Sequence, residues 1–409
     1  MKKKVLIIGS GMNAAAITKK FSETCDVYIA PHSSTANEFA TGLDIREDSI
    51  SELLDFVMEN DIDLTIPVSE TAIKSNITEI FGNHKQSVFA PSAKSSEIVF
   101  NKAFAKKTLY KLRIPTPKFG IFDKENMAMD YLKNQKMPCV IKTNESNSAV
   151  VVTELKSAKN IVNSIFIEKG AKVIIEDYVY GIPFSFYAIT DGYKALPIGS
   201  SILYKHSLEG NGGQLTCGMG AVVPNYKISL EQEYYLMNEV IYPTLDFLEI
   251  GESPYLGILG INGIISDEGE ISILGWQNFT QDADTSAIFE HIQDNLYELF
   301  TSCVIGVFSD EVDAINLDNR ASVSVVLHNT LKDNKENIIS GLDNLSEETI
   351  LNFAPSVCKN KYLEHQISKQ GDVLTLTSTA SSVGNAAKLV YDEVKEISFD
   401  GIKYRKDIK

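Results

Sequence analysis

Asp282 and Asp284 are two loop carboxylates one residue apart. That spacing can present oxygens to one Mg²⁺ ion shared with substrate phosphates. The same acids would equally suit the start of a helix, where they cap free N–H groups. Lys102 opens a helix-like segment, and Lys142 ends an apolar, strand-like one. A lysine at a strand end can pack its stem and hold its ammonium over a ligand. A solvated surface is the commoner place for a single lysine. Glu176 and Asp177 directly follow Ile174-Ile175. Acids there can accept from an adenine amine or a ribose hydroxyl, or can simply keep an edge strand soluble. Gly9-Ser10-Gly11 follows the first apolar run. A glycine turn feeding a helix offers N–H groups to a phosphate. The dinucleotide fingerprint wants a third glycine where Ala14 stands, so a plain tight turn fits as well. A glycine-rich stretch runs from Gly210 to Gly213 and on to Cys217-Gly218-Met219-Gly220. It would let backbone approach a ligand or let a loop move. It would also serve as a flexible hairpin connection.

The elements that must hold these residues alternate between strand and helix. Strands are expected at 4–8, 27–30 and 64–68, with helices at 14–21 and 50–58. That alternation predicts a doubly wound parallel sheet in the first hundred residues. A helix is expected over Lys102 to Leu112, stopped by Ile114-Pro115-Thr116-Pro117. Strand-like runs follow at 139–142, 150–153, 173–175 and 184–190. The stretch Glu209 to Gly220 reads as a loop. Leu256 to Ile265 and Ile271 to Leu274 read as a hairpin across 266–269. Ile288 to Val307 reads as helical, 323–327 and 373–377 as strands, and 384–394 as a helix. No repeat of 20–50 residues is apparent.

The 409 residues suggest two to four domains. A net charge of −16 and no internal basic cluster argue against nucleic acid as a partner. No apolar run approaches the roughly 20 residues that span a membrane. Lys2-Lys3-Lys4 followed by Val5 to Ile8 resembles a signal peptide, but the apolar stretch is too short. The cysteines at 25, 139, 217, 303 and 358 form no Cys-x-x-Cys pair. They indicate neither zinc nor a disulfide framework, and a reducing cytoplasm is expected.

Five segments together resemble one family. They are "VLIIGSG", "APSAKSSEIVFNKAFAKKTLYKLRIPTPKFGIF", "VIIEDYVYGIPFSFYAITDG", "CGMGAVVP" and "ISFDGIKYRKDI". Their order and spread over nearly the whole chain resemble the glycinamide ribonucleotide synthetase (phosphoribosylamine–glycine ligase) family of the ATP-grasp superfamily. The resemblance implies an α/β and α+β multidomain fold. A doubly wound N-terminal domain would span 1–101, an ATP-grasp domain 102–310, and a C-terminal α+β domain 311–409. It implies ATP-dependent joining of glycine to phosphoribosylamine through an acyl phosphate, in purine biosynthesis. Such chemistry needs metal, cations and N–H groups aimed at phosphate charge.

The resemblance assigns Lys102 and Lys142 to the phosphates of ATP, and Glu176, Asp177 and Val179 to the adenine side. It assigns Gly9, Gly11, Glu70, Lys205, Gly218 and Gly220 to the substrate side. Other family positions are changed. Met12, Asn13, Ala14 and Ala15 stand where the family has a glycine, an arginine, a glutamate and a histidine. The stretch 143–150 lacks the glycine-lysine-glycine of a phosphate-covering loop. Ile182 and Pro183 replace a ribose-binding acid, and Leu203 and Tyr204 replace an Asp-His pair. Gly275 and Gln277 stand at the glutamate and asparagine that would bind Mg²⁺, followed by Phe279 in place of an arginine. Asn278 would be the displaced asparagine under a one-residue slip, which would put Trp276 at the glutamate's position. Asp282 or Asp284 would be the replacement carboxylates. The expectation is therefore a family ligase with weakened or altered catalysis. Its alternative is a degenerate relative that binds a nucleotide or a protein partner. An unrelated Rossmann-type oxidoreductase fits less well, since no acid marks a ribose site about 20 residues past the first turn.

Overall fold

The computed structural model describes residues 2–32, 39–144, 149–168, 170–332 and 337–409. Its first sheet is parallel, in the order Thr41–Gly42, Asp26–Ala30, Lys4–Ile8, Leu64–Pro67. Successive side chains of a strand point to opposite faces. Val5 and Ile7 accordingly join a core with Ile17 and Phe21 of the helix Met12–Ser22. Leu6 and Ile8 join another with Leu53, Leu54 and Val57 of the helix Ile50–Glu59. Both faces of Lys4–Ile8 are covered, which is why the strand is a continuous apolar run.

A second, antiparallel sheet has the order Phe119–Phe122, Val173–Asp177, Cys139–Thr143, Ala149–Val152. The helices Glu125–Lys133 and Leu155–Phe166 pack on it through Ala128, Leu132, Ala158 and Val162. The largest sheet among the described residues is antiparallel. It runs Ile271–Asn278, Gly257–Ile265, Ile182–Thr190, Ala195–Leu203, Gly220–Val223, Ala321–Asn329, Gly371–Ala380, Ile350–Phe353. Ala321–Asn329 pairs with Gly220–Val223, so this sheet is continuous across residue 310. The helix Val383–Glu396 covers its C-terminal strands through Ala386, Val390 and Val394. The chain is thus a mixed α/β molecule in which a parallel N-terminal sheet is followed by antiparallel sheets.

Two expected elements differ. The stretch Glu209 to Gly220 is not simply a loop. Gly212–Leu215 pairs with His206–Leu208 across a short turn at Glu209–Asn211. Positive φ at Gly210 (63°) and Asn211 (57°) closes that turn, so the glycines build a hairpin. The run from Ile288 to Val307 is not one helix. It is Thr285–Glu290 and then Leu296–Ile305. Ile292 bridges to Leu317 in the gap. Asn295 restarts the helix by accepting from the N–H groups of Tyr297 (3.0 Å) and Glu298 (3.4 Å).

Candidate active site in the central cleft

Glu176 lies near the end of Val173–Asp177, two positions along the sheet face from the partner of Lys142. That diagonal brings the two side chains together. Lys142 Nζ lies 2.8 Å from Glu176 Oε2, and Lys106 Nζ lies 3.3 Å from Oε1. Lys106 also donates to Thr116 Oγ1 at 2.8 Å. Lys106 and Glu176 are 2% and 1% exposed, so this ion pair is sealed from water. Burial alone would raise the Glu176 carboxyl, but Lys142 and Lys106 outweigh it and hold it below the usual range. Burial pushes both Lys102 and Lys106 down to about 8, and the like charge of Lys142 adds to this.

Lys106 was not among the expected site residues. Its signal was present, because it lies four residues after Lys102 on one helix, Lys102–Lys111, and so shares its face. Glu70 opens the helix Glu70–Lys74, is ion-paired with Lys74, and raises Lys102 by its charge. Asp177 accepts from Gln135 Nε2 at 2.6 Å, and its N–H donates to the Lys118 carbonyl at 2.9 Å. Val179 is half-buried just beyond the strand. Asn144 Oδ1 accepts from the Ala103 N–H at 2.8 Å, tying the Lys142 strand to the start of the Lys102 helix. Of the expected phosphate-covering stretch, residues 145–148 lie outside the described residues.

The opposite wall is made of amides. Asn262 Oδ1 accepts from Lys205 Nζ (3.0 Å), Gln281 Nε2 (2.9 Å) and Ser185 Oγ (3.3 Å). Gln277 Oε1 accepts from Asn262 Nδ2 (2.8 Å) and from Gln281 Nε2. Gln277 Nε2 donates to Ser185 Oγ at 3.2 Å. Burial lowers Lys205 to about 8, against the opposing pull of Asp284. Gly275 leaves open space: a Cβ built on it meets no atom within 4 Å. Trp276 is buried, and Asn278 Oδ1 accepts from the Tyr255 hydroxyl at 2.8 Å.

Asp284 is fully buried. It accepts from the Tyr187 hydroxyl (2.7 Å), Ser201 Oγ (2.7 Å) and the Gln281 N–H (3.0 Å). Burial pushes its carboxyl up to about 6, and these donors limit the rise. Asp282 accepts from the Asn13 N–H at 2.7 Å. Its carboxylate therefore sits at the N-terminus of Met12–Ser22, where an anion is favoured. Burial raises it while the Asn13 N–H pulls it down. Among the described residues, no group of three or more His, Cys, Asp or Glu side chains could hold a metal ion.

The glycines make close backbone contacts. A Cβ on Gly11 would lie 3.0 Å from Asp282 Oδ1, so the missing side chain admits that carboxylate. Gly9 donates its N–H to the Ala30 carbonyl at 2.8 Å, in the turn after the first strand. A Cβ on Gly218 would meet Ala283 at 2.8 Å, and one on Gly220 would collide with the Ser324 carbonyl. Met12 is buried in an apolar cluster with Ala283, Val326 and Ala354. The structure thus gathers Lys102, Lys142, Glu176 and Glu70 at one wall and Lys205, Gln277 and the 281–284 segment at the other. Lys142 joins the two, because its charge is felt at both Lys102 and Lys205.

Comparison with known proteins matches this architecture. The model of the phosphoribosylglycinamide synthetase N domain matches residues 3–98. The model of its ATP-grasp (A) domain matches residues 100–285. The phosphoribosylamine–glycine ligase of Allochromatium vinosum is 30% identical over 99% of this chain and 97% of its own. That of Caldanaerobacter subterraneus is 27% identical over 99% of each. The crystal structure of phosphoribosylamine–glycine ligase from Thermotoga maritima superposes with a TM-score of 0.81 at 20% identity, covering 99% of this chain and all of that one. Biotin carboxylase from Campylobacter jejuni shares the fold at a TM-score of 0.71 and 14% identity, covering 98% and 93%. The chain belongs to the phosphoribosylglycinamide synthetase family of ATP-grasp ligases.

Proposed function

We propose that the central cleft binds ATP, and that the family ligation of glycine to phosphoribosylamine is weakened or redirected in this chain. The observation that carries this is the contrast between the two walls. The lysine wall keeps Lys142 and Lys106 on a buried Glu176 and holds Lys102 beside them. The facing strand offers a glycine and a hydrogen-bonded amide where Mg²⁺ would want a carboxylate. That donor set is a poor fit to the metal.

Under this reading Lys102 and Lys142 bear on the phosphates, and the segment Glu176, Asp177, Val179 borders the adenine. Glu70, Lys205, Gly218 and Gly220 border the substrate side. The chain's own contribution to ligation would be positioning and fixed positive charge. The phosphoribosylamine side is the more altered. Met12 is packed in an apolar cluster with its sulfur taking the Thr375 hydroxyl at 3.2 Å, and Asp282 already occupies the nearby helix N-terminus. These two features also favour a second reading, a relative that binds nucleotide or a protein partner without turnover.

The test is turnover of ATP with glycine and phosphoribosylamine at varied Mg²⁺, following glycinamide ribonucleotide by mass spectrometry. ATP binding with little or no product is the expected result. Product formed as fast as by an Allochromatium-type relative would refute the altered catalysis. Absence of ATP binding would refute the proposal as a whole.

A further inference from the structure

A carbonyl oxygen has two lone pairs, and both amide oxygens at the facing wall already receive at least two donors. A divalent cation there would have to displace those donors. It would also have to displace an ammonium, since Lys205 Nζ already lies 3.0 Å from Asn262 Oδ1. The nearby carboxylates are committed: Glu70 to Lys74, Glu176 to two lysines, Asp284 to two hydroxyls and an N–H, and Asp282 to Asn13. Against them stand four ammonium groups, of Lys102, Lys106, Lys142 and Lys205. Lys142 acts by like charge on each of the other three. In a chain of net charge −16, this concentration of positive charge is a local exception. Like charges held together in a cleft favour an anion that they can share.

We infer that the cleft takes its nucleotide as the free polyanion, with Lys142, Lys205 and Lys102 neutralising the phosphates and no divalent cation required. This rests on the nucleotide reading above. It departs from that reading's family pattern in two respects: Lys205 moves from the substrate side to the phosphates, and fixed ammonium groups stand in for the charge that a metal would carry. Lysine suits this role because it is a compact point charge able to approach phosphate oxygens from several directions.

Calorimetric titration of the full chain with ATP and with ADP, in EDTA and then in Mg²⁺, tests it. The expected result is binding in EDTA, with Mg²⁺ tightening the dissociation constant by no more than about threefold. A larger tightening overturns the inference and leaves the nucleotide reading standing. Absence of binding in both buffers overturns the nucleotide reading itself. Lys205→Gln should weaken binding in EDTA by roughly tenfold or more, and unchanged affinity in a folded variant overturns the role of Lys205. Gly275→Glu is a second variant, because its side chain enters open space on the strand face of Gln277. It should weaken binding in EDTA and introduce Mg²⁺ dependence. A wild-type response in both buffers overturns the charge-substitution argument.

Discussion

The carboxylate of Asp282 accepts a hydrogen bond from the backbone N–H of Asn13 at 2.7 Å, across 269 residues of sequence. It joins the segment after the edge strand Ile271–Asn278 of the large antiparallel sheet to the first helix packed on the parallel sheet. The N-cap residue of Met12–Ser22 is Gly11, which has no side chain to cap with, so Asp282 caps the Asn13 N–H from outside while Asn13 Oδ1 accepts from the Ala14 N–H at 2.8 Å. Asp282→Ala should therefore cost roughly 0.5–2 kcal/mol, the usual loss when a helix cap is removed. Urea unfolding of the two proteins measures it. An unchanged midpoint and slope would mean that the contact contributes nothing to stability.

Glu176 is the only carboxylate paired with the buried Lys106 in the ion pairs of the described residues. Glu176→Gln leaves Lys106 without its counter-charge in a site that is 2% exposed. Removing one partner of a buried pair costs roughly 3–5 kcal/mol. The double variant Glu176→Gln with Lys106→Met should recover part of that loss, since it removes the stranded charge as well. Chemical denaturation of the set decides this, and a double variant no more stable than Glu176→Gln would contradict it.

Asp284 imposes a pH dependence with a definite sign. Its folded carboxyl is pushed up to about 6 from an ordinary value near 3.8. The folded state therefore holds a proton that the unfolded state releases. The associated stability is present below about pH 4 and is lost as pH rises toward 6, for a total on the order of 3 kcal/mol. Asp284→Asn cannot titrate. The difference in unfolding free energy between wild type and Asp284→Asn should drift against the wild type over this window and then level off. A flat difference would show that Asp284 titrates normally.

Lys102 and Lys205 are both lowered to about 8 by burial. If their ammonium groups hold phosphate, ATP affinity should fall as they lose protons. One such lysine predicts a loss of roughly tenfold between pH 7 and pH 9. Titration calorimetry at a series of pH values checks this. Affinity that stays constant over the range would remove these lysines from the binding step.

Arg405 ties the chain end to the hairpin beside the cleft. It is 2% exposed, donates to both oxygens of Asp407 (2.8 and 2.6 Å) and to the His206 carbonyl (3.1 Å), and lies over the Tyr204 ring. Asp407 in turn accepts from the Gly210 N–H at 2.9 Å. Arg405→Ala should raise hydrogen exchange across 206–215 while leaving the parallel N-terminal sheet unchanged. Equal protection in both proteins would show that the hairpin holds without the tail.

Local pattern carried much of the architecture. The apolar run Val5 to Ile8, the amphipathic segment from Ile50 and the proline stop after Leu112 set their elements through short-range periodicity and backbone restriction. The order of the quoted segments, from "VLIIGSG" to "ISFDGIKYRKDI", carried the family, and the matched models agree with it. Their places at the ends of a helix and of apolar strands, with the resemblance, made Lys102, Lys142 and Glu176 visible as candidates. What these residues touch was decided only by the tertiary structure. Lys106 shares a helix face with Lys102, but only the packing of the sheet buries it against Glu176. Asp282 and Asp284 looked like a matched pair, yet one caps a helix 269 residues away and the other is sealed among hydroxyls. Whether an amide oxygen such as that of Gln277 is open to a ligand depends on donors from Asn262 and Gln281. The physical reason is that charge, burial and hydrogen-bond saturation belong to neighbourhoods assembled from several chain segments. Spacing along one segment specifies an element and its face, whereas the packing of elements specifies the chemistry that the face can perform.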